Sequence, residues 1–295
     1  MAGGPRPKVS VIVPHYRDLA RLDRCLAALG AQTYPKDDFE VVVADNASPE
    51  GEAAVAAAIA GRARLVTVAD KGAGLARNGG VVAARGELLA FTDADCLPDP
   101  AWLAAGTAAL SGADVVGGRM QVLVDDPAAP TPVEAFEVVF AFDNEHYVKR
   151  LGFTVTANLF CSKAVFGQVG GFRIGVSEDL EWSRRATAAG LRLAYAPDAL
   201  VGHPARRTWA ELIAKWQRIN SETYGLSAGR PVRALRWLVR SGLMPLSAVA
   251  HTPRALGSRK LATAGQRWAA LGVLYRHRFW RMVDAVRVLT TSGDA

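Results

Sequence analysis

Four short apolar runs, KVSVIVP (8–14), FEVVVAD (39–45), RLVTVA (64–69) and ELLAFTD (87–93), recur along the first third of this 295-residue chain, with helical patterns between them. That alternation constrains the fold more than any other feature. Runs this short and this rich in Val and Leu read as buried strands. Asp18 stands where it can N-cap a helix whose Leu19, Leu22, Leu26 and Leu29 keep helical spacing up to Gly30. AAVAAAIAG (53–61) and GLARNGGVVAARG (74–86) predict the second and third helices, and Asp99-Pro100 opens the next as cap and first-turn proline. Strand–helix–strand units cross over right-handedly, so the expected class is α/β: a Rossmann-like, mostly parallel sheet flanked by helices. In such sheets ligands bind outside the carboxyl ends of the strands. The Pro14-His15-Tyr16 turn, Asp45 and Asp93 all fall at such ends, so three strands aim polar groups at one rim.

The remainder reads differently. Residues 133–150 have helical character, VTANLFCSKAVF (155–166) begins extended, and VGGF (169–172) marks a turn. A helix from Ser177, SEDLEWSRRATAAG, is stopped by Gly190, and LRLAYAPDALVGH gives two short extended pieces. Beyond Pro204, Thr208 can cap a helix with Trp209, Leu212, Ile213 and Trp216 on one face. Pro231, Pro245 and Pro253 divide the rest of the chain into shorter helical pieces, the last covering about 262–290. Charge follows the same division. Residues 1–204 carry 19 Lys/Arg and 24 Asp/Glu, a net of −5, whereas residues 205–295 carry 16 and 4, a net of +12. The expected organisation is therefore a body over 1–204, with a ligand-binding half to about 120 and a second half over 121–204. A basic, Trp-containing helical region then occupies 205–295.

Bulk composition excludes several classes. Half the residues are apolar, enough for a full core, yet no apolar run approaches the roughly 18–20 residues of a spanning helix. MAGGPRPKVS lacks the apolar segment of a secretory signal, which leads us to expect a cytoplasmic protein. Cys25, Cys96 and Cys161 have no CxxC spacing and read as free core thiols. Five tryptophans, at 209, 216, 237, 268 and 280, lie among the 16 cations of the last 91 residues. That mixture suits anionic lipid headgroups, a protein partner, or simple packing onto the body; no nucleic-acid recognition motif accompanies it.

The stretch TDADC ends the fourth strand with two carboxylates around one small residue. Asp93 and Asp95 can hold a hard divalent cation, Mg²⁺ or Mn²⁺, that takes substrate phosphate oxygens as further ligands. A solvated turn offers the same spacing. Asp45, in VVVADNASPEG, fits either turn chemistry or a contact to a nucleobase or ribose. KGAGLARNGG (71–80) lacks the third glycine of a dinucleotide fingerprint, but a loop entering a helix can still bind phosphate, with Arg77 adding charge. Glu178 and Asp179 open a helix, where carboxylates are favoured by the dipole and where one could also serve as a general base. Trp182, one turn on, is either an apolar wall for a sugar ring or a core residue. His203 is either a third metal ligand or a capping or core histidine.

Together VSVIVPHYRD, VVVADNASPEG, GLARNGGVVAARGELLAFTDADC, TANLF, VGGF, SEDLEWSRRATAAG and LVGHPARR resemble the GT-A-fold glycosyltransferases, specifically the large inverting group called family two, over about residues 8–207. The resemblance implies a GT-A fold with a helical basic C-terminal extension. It also implies transfer of a sugar from a nucleoside-diphosphate sugar, with UDP the expected nucleotide, to a hydroxyl of a glycan or lipid-linked acceptor. Pro14 and Tyr16 would line the nucleotide pocket, Asp45 would contact the base, and Arg77 would lie near the diphosphate. Asp93 would bind ribose or metal, and Asp95 would ligate the metal. Asp179 would be the catalytic base, with Glu178 beside it, and Asn158 and Trp182 would border the acceptor or sugar. His203 matches a metal or diphosphate contact of some members only. The absence of QxxRW argues for a non-processive enzyme, as in cell-surface polysaccharide or glycoconjugate synthesis. A peripheral position on the inner face of the cytoplasmic membrane would suit a lipid-linked acceptor. The rival readings are a phosphatase-like hydrolase, a nucleotidyltransferase, or a catalytically silent scaffold of the same fold. A hydrolase normally carries its acidic pair after the first strand, whereas here three strands precede TDADC; a nucleotidyltransferase carries a glycine-rich, Arg/Lys-bearing loop after the first strand, and HYRDLARLD has no glycine.

Overall fold

The computed structural model describes residues 7–226 and 232–291. In chain order the elements are β1 (Val9–His15), α1 (Leu19–Gly30), β2 (Phe39–Asp45), α2 (Glu52–Ile59), β3 (Arg64–Thr67), α3 (Ala73–Ala83), β4 (Leu88–Phe91), β5 (Leu97–Pro98), α4 (Trp102–Ala109) and β6 (Val115–Leu123). They continue with α5 (Pro132–Phe140), α6 (Asn144–His146), β7 (Leu159–Ser162), α7 (Lys163–Val169), α8 (Glu178–Ala188), β8 (Leu193–Pro204), α9 (Trp209–Gly225), α10 (Arg233–Gly242), α11 (Met244–Leu256) and α12 (Ala264–Thr291).

The chain forms two compact units. The first comprises Met1–Gln121, Asp143–Ile174 and Glu178–His203; the second comprises Val122–Phe142, Gly175–Ser177 and Pro204–Ala295. In the first, the eight strands run in the order β3-β2-β1-β4-β7-β6-β8-β5. The β1–β2, β2–β3 and β1–β4 pairs are parallel, as the strand–helix alternation requires. Strand order reverses at β1, between β2 and β4, which is where such sheets open a crevice for ligand. The β4–β7, β6–β7 and β5–β8 pairs are antiparallel and extend the sheet past β4.

Several local expectations hold. Asp18 Oδ1 accepts from Arg21 N at 3.1 Å, capping α1. Others shift for identifiable reasons. Asp99 does not begin α4: its carboxylate turns back to accept from Ala101 N at 3.0 Å, so the helix opens at Trp102. The helix expected over 133–150 stops at Phe140, and a wide turn over Tyr147–Leu151 ends at Gly152, whose φ of +70° no bulky residue adopts easily. In the stretch expected to begin extended, the strand ends at Ser162, whose Oγ accepts from Val165 N and starts α7. The two pieces expected after Gly190 are one strand, β8.

The core beneath the parallel strands is aromatic. Phe91 stacks on Phe166 at 5.8 Å and meets Phe172 edge-on at 5.6 Å, and Trp182 closes the group against Phe166 and Phe172. The second unit is helical. Thr131 with Glu134 and Thr208 with Glu211 form capping boxes at the starts of α5 and α9. Val133, Phe136, Leu212, Ala248, Leu271 and Leu274 pack its interior. The break expected at Pro231 lies outside the described residues.

Candidate active site

The parallel strands deliver their polar groups to one edge, and the side chains there fall into three adjoining sets. At the ends of β1 and β2, His15 Nδ1 donates to Asp45 Oδ1 at 2.8 Å. Ser48 Oγ donates to the same oxygen at 2.5 Å, and Ser48 N donates to Asp45 Oδ2 at 2.9 Å. Burial alone would raise the Asp45 pKa, but these donors and His15 hold it below the usual carboxylate range. Asp45 is 1% exposed and its acceptors are engaged, so here it anchors its own loop rather than facing solvent. His15 Nε2 is buried and has no partner among the described residues. Pro14 is half-buried beside it, and the exposed Tyr16 ring lies under Lys71 Nζ, 4.4 Å from its centroid. Lys71 is fixed there by the carbonyls of Asn46 and Ala47.

The second set is ionic. Arg77, on α3, is 3% exposed and donates through Nη2 to Asp93 Oδ1 and through Nη1 to Glu178 Oε1. Three distant segments, the end of β4, the body of α3 and the start of α8, thus share one guanidinium. Burial would lower the Arg77 pKa, yet the charges of Glu178, Asp93 and Asp179 raise it. Gly74 makes this closure possible, because a Cβ there would lie 2.6 Å from Glu178 Oε2 and 3.1 Å from Phe172 Cβ. Asp179 stands beside the cluster and accepts from Thr156 Oγ1 at 2.8 Å. Burial and the neighbouring Glu178 charge push its pKa up to about 6, against the opposing pull of Arg77 and Thr156.

The third set surrounds Asp95. His203 Nε2, from β8, lies 3.8 Å from Asp95 Oδ2, and Cys96 Sγ lies 3.9 Å from Asp95 Oδ1. One ligand atom from each of Asp95, Cys96 and His203 falls within 4.8 Å of the others, a spacing that one cation can bridge. Burial, with the charges of Asp93 and Asp95, raises the Cys96 thiol well above its ordinary range.

Geometry sorts the residues singled out in the sequence. Arg77, Asp93, Glu178 and Asp179 meet, as do Asp95 and His203, while Pro14, Tyr16 and Asp45 gather at the β1–β2 end. Asp93 faces Arg77 and is not part of the Asp95 ligand set. Two expectations need correction. Asn158 is fully buried; its Oδ1 accepts from Trp102 Nε1 at 2.9 Å and its Nδ2 donates to the carbonyls of Arg119 and Ala199. Trp182 is fully buried in the aromatic core, with Nε1 bonded to the Gly170 carbonyl. Neither offers a surface to an acceptor. On α8 Glu178 and Trp182 share one face a turn apart, and the first reaches Arg77 while the second enters the aromatic core, a difference along the helix that spacing alone did not resolve. Sequence reading gave no role to Cys96 or Thr156 and named His15 only as part of the turn that closes the first strand. Cys96 directly follows Asp95, so adjacency was the available signal, and Thr156 stands inside the TANLF motif.

A family model described as glycosyl transferase family 2 matches residues 10–180. Glycosyltransferase AglE of Haloferax volcanii is 34% identical over 221 residues, covering 72% of each chain. Validoxylamine A glucosyltransferase of Streptomyces hygroscopicus subsp. jinggangensis is 37% identical over 153 residues, 50% of this chain and 36% of that one. Among solved structures, S. aureus TarS 1-349 in complex with UDP-GlcNAc superimposes with a TM-score of 0.53 at 19% identity, covering 92% of this chain and 72% of that one. Mannosyltransferase PcManGT from Pyrobaculum calidifontis, in complex with GDP-Man and Mn²⁺, gives a TM-score of 0.51 at 20% identity, covering 99% and 76%. The architecture is a GT-A fold, an α/β sheet flanked by helices with a helical C-terminal region. The chain belongs to glycosyl transferase family 2 and is a glycosyltransferase.

Proposed function

We propose that this glycosyltransferase moves a sugar from a nucleoside-diphosphate sugar to a hydroxyl of a glycan or lipid-linked acceptor, with inversion at the anomeric carbon and with a divalent cation. The observation that carries the reading is the meeting of Arg77, Asp93, Glu178 and Asp179 beside the Asp95–His203 pair. Asp179 supplies the base. A carboxylate whose pKa is raised to about 6 is still ionised near neutral pH, yet is a far better proton acceptor than an exposed aspartate. Thr156 Oγ1 orients it, and Arg77 holds Glu178 and Asp93 in place so that the cluster does not collapse by like-charge repulsion.

Asp95 and His203 present oxygen and nitrogen donors that suit Mn²⁺, and PcManGT, of the same fold, was solved with that ion. When bound, such a cation neutralises charge developing on a diphosphate leaving group. The nucleotide is expected over the β1–β2 end, where Tyr16 offers an exposed ring and the buried bonds among His15, Asp45 and Ser48 fix the adjoining loop; UDP is the first to test, since TarS was solved with UDP-GlcNAc.

The test is nucleoside diphosphate release from UDP-, GDP- and dTDP-sugars, with Mn²⁺, Mg²⁺ or EDTA. Release from one donor, lost in EDTA and in Asp95→Asn, supports the reading and names the donor. Donor binding with metal-independent release would overturn the role given to the cation, and neither binding nor release from any donor would favour the scaffold reading.

A further inference from the structure

Of the sixteen large hydrophobic side chains exposed among the described residues, twelve lie between Val232 and Val286, so exposure is concentrated on three helices. On α10 the buried side is marked by Trp237 and Ser241, and Leu235, Leu238 and Val239 face the other way. On α11 the buried side is Ala248 and Ala255, and Leu246 and Val249 face out. On α12, Trp268, Tyr275, Phe279, Val283 and Val286 recur at intervals of three, four and seven on the side opposite Leu274, His277 and Arg281. They form a stripe about 27 Å long at the rise of an α-helix. Trp268 is 62% and Phe279 60% exposed, values far from those of a packed helix face. Thr252 Oγ1 and Tyr275 Oη, 3.0 Å apart and exposed, join the outer edge of α11 to that of α12. A shallow groove of about 530 Å³ between α10 and α11 is lined by Leu235, Val239, Leu243 and Met244, with Arg236 and Arg240 at its rim.

The charges around this surface have one sign. Residues 232–291 contain eleven Lys/Arg and one acid, Asp284, which is buried and bonded to Arg287 and Asn220. Helical spacing places Arg276 and Arg287 along one edge of the α12 stripe, and Arg267 and Arg278 along the other. No helix among the described residues is long and apolar enough to cross a membrane. An apolar stripe containing Trp, Tyr and Phe, bordered on both sides by arginine, matches a helix lying in the headgroup region, its rings in the acyl boundary and its guanidinium groups on phosphate.

We infer that the outward faces of α10, α11 and α12 form a docking surface for an anionic lipid bilayer. Charge decides the occupant. A second copy of this chain would set an equally cationic face against the first, and a nucleic acid would satisfy the arginines while leaving the aromatic stripe in water. An anionic leaflet satisfies both. The docking surface is independent of which donor and cation the first unit takes.

Co-sedimentation of the full chain with phosphatidylcholine vesicles, with and without phosphatidylglycerol, tests it. Binding is expected only with phosphatidylglycerol, and added salt weakens it. Arg236→Ser with Arg240→Ser weakens it about thirtyfold, two surface cations having been removed. Phe279→Asp and Leu246→Asp weaken it at least as much. Far-UV circular dichroism and nucleoside diphosphate release, both expected unchanged, show that these exposed-site variants fold. Binding that is equal with and without phosphatidylglycerol, or equal in all the variants, overturns the inference. So does absence of vesicle binding together with a solution dimer that Phe279→Asp dissociates, which would assign the face to a second copy. Vesicle binding with neither binding nor release of any donor would instead sink the catalytic reading and leave the docking surface standing.

Discussion

Asp179 shows how a single carboxylate can serve function against stability. Its folded pKa, about 6, lies above the unfolded value near 3.8. The folded state therefore holds a proton more tightly than the unfolded one, and this group's contribution to stability is present below the unfolded pKa and lost as pH rises through about 6. Asp179→Asn is accordingly expected to raise the unfolding free energy by on the order of 1–3 kcal/mol near neutral pH, while transfer is abolished and donor binding is spared. In the wild type, kcat/KM should rise with pH on a limb of apparent pKa near 6 and then level off. Transfer by the Asp179→Asn enzyme at the wild-type rate would remove the base assignment. Asp95→Asn is the complementary case: a partly exposed side chain contributes little to the core, so its melting temperature should stay within about a degree or two. The stabilisation given by Mn²⁺ in a thermal-shift assay should disappear in that variant, and an undiminished shift would move the cation elsewhere. The carboxylates were legible as site residues because each closes an apolar run or opens a helix. Their partners were not, because Arg77, Glu178 and Asp93 are joined across 101 and 16 residues of chain by tertiary packing alone. Trp182 and Asn158 were misplaced for the converse reason, since both belong to the motifs yet serve the packing behind them.

At the scale of elements, the parallel strands and their helices were readable because strand and helix periods differ so plainly and caps such as Asp18 and Thr208 sit at their expected offsets. Boundaries set by long-range contacts were not. The carboxylate of Asp99 closes a turn of its own, α7 begins inside a segment whose first residues are extended, and β7 enters the sheet antiparallel between strands distant in sequence. Helix α4 illustrates what sequence cannot convey. Gly106 lies inside it, where alanine would ordinarily be the better helix former, but a Cβ there would stand 2.1 Å from Phe160 Cζ on β7. That ring is fully buried and already packed 5.0 Å from Trp102, so it has no space to yield. Gly106→Ala should therefore destabilise by about 1–3 kcal/mol despite its gain in helix propensity, read as a lower denaturation midpoint at unchanged m-value. Thr208→Ala tests a helix end instead. Losing the hydroxyl that accepts from Glu211 N should cost about 1 kcal/mol. A loss confined to the unfolding of the helical unit would show that α9 is held by its cap as well as by Leu212.

Across the whole molecule the two units carry opposite titration behaviour. In the first, Asp179 favours low pH. In the second, His277 favours high pH: it is fully buried on α12, its ring lies 5.3 Å from that of Phe136 and 4.7 Å from that of Trp216, and neither nitrogen has a partner among the described residues. Burial first, and then the charges of Arg281, Arg278 and Lys215, lower its pKa to about 2. Lys215 is itself brought down to about 8 by burial, in spite of Glu137 beside it. Below the ordinary histidine value of 6.5 the unfolded chain takes up a proton that the folded one refuses. Stability from this residue is thus complete above about pH 6.5 and falls as pH drops, by up to roughly 1.4 kcal/mol per pH unit. Calorimetric scans at about pH 7.5 and about pH 5 should accordingly move the transition of the helical unit downward on acidification, the more so because its eleven cations after Val232 already repel one another. His277→Phe keeps an aromatic ring between Phe136 and Trp216 and removes two unsatisfied nitrogens. It should raise that transition at both pH values and flatten its acid dependence, while nucleoside diphosphate release is unchanged. An acid slope that survives in His277→Phe would transfer the effect from this histidine to the general charge of the unit, and salt would then restore the stability that the substitution did not.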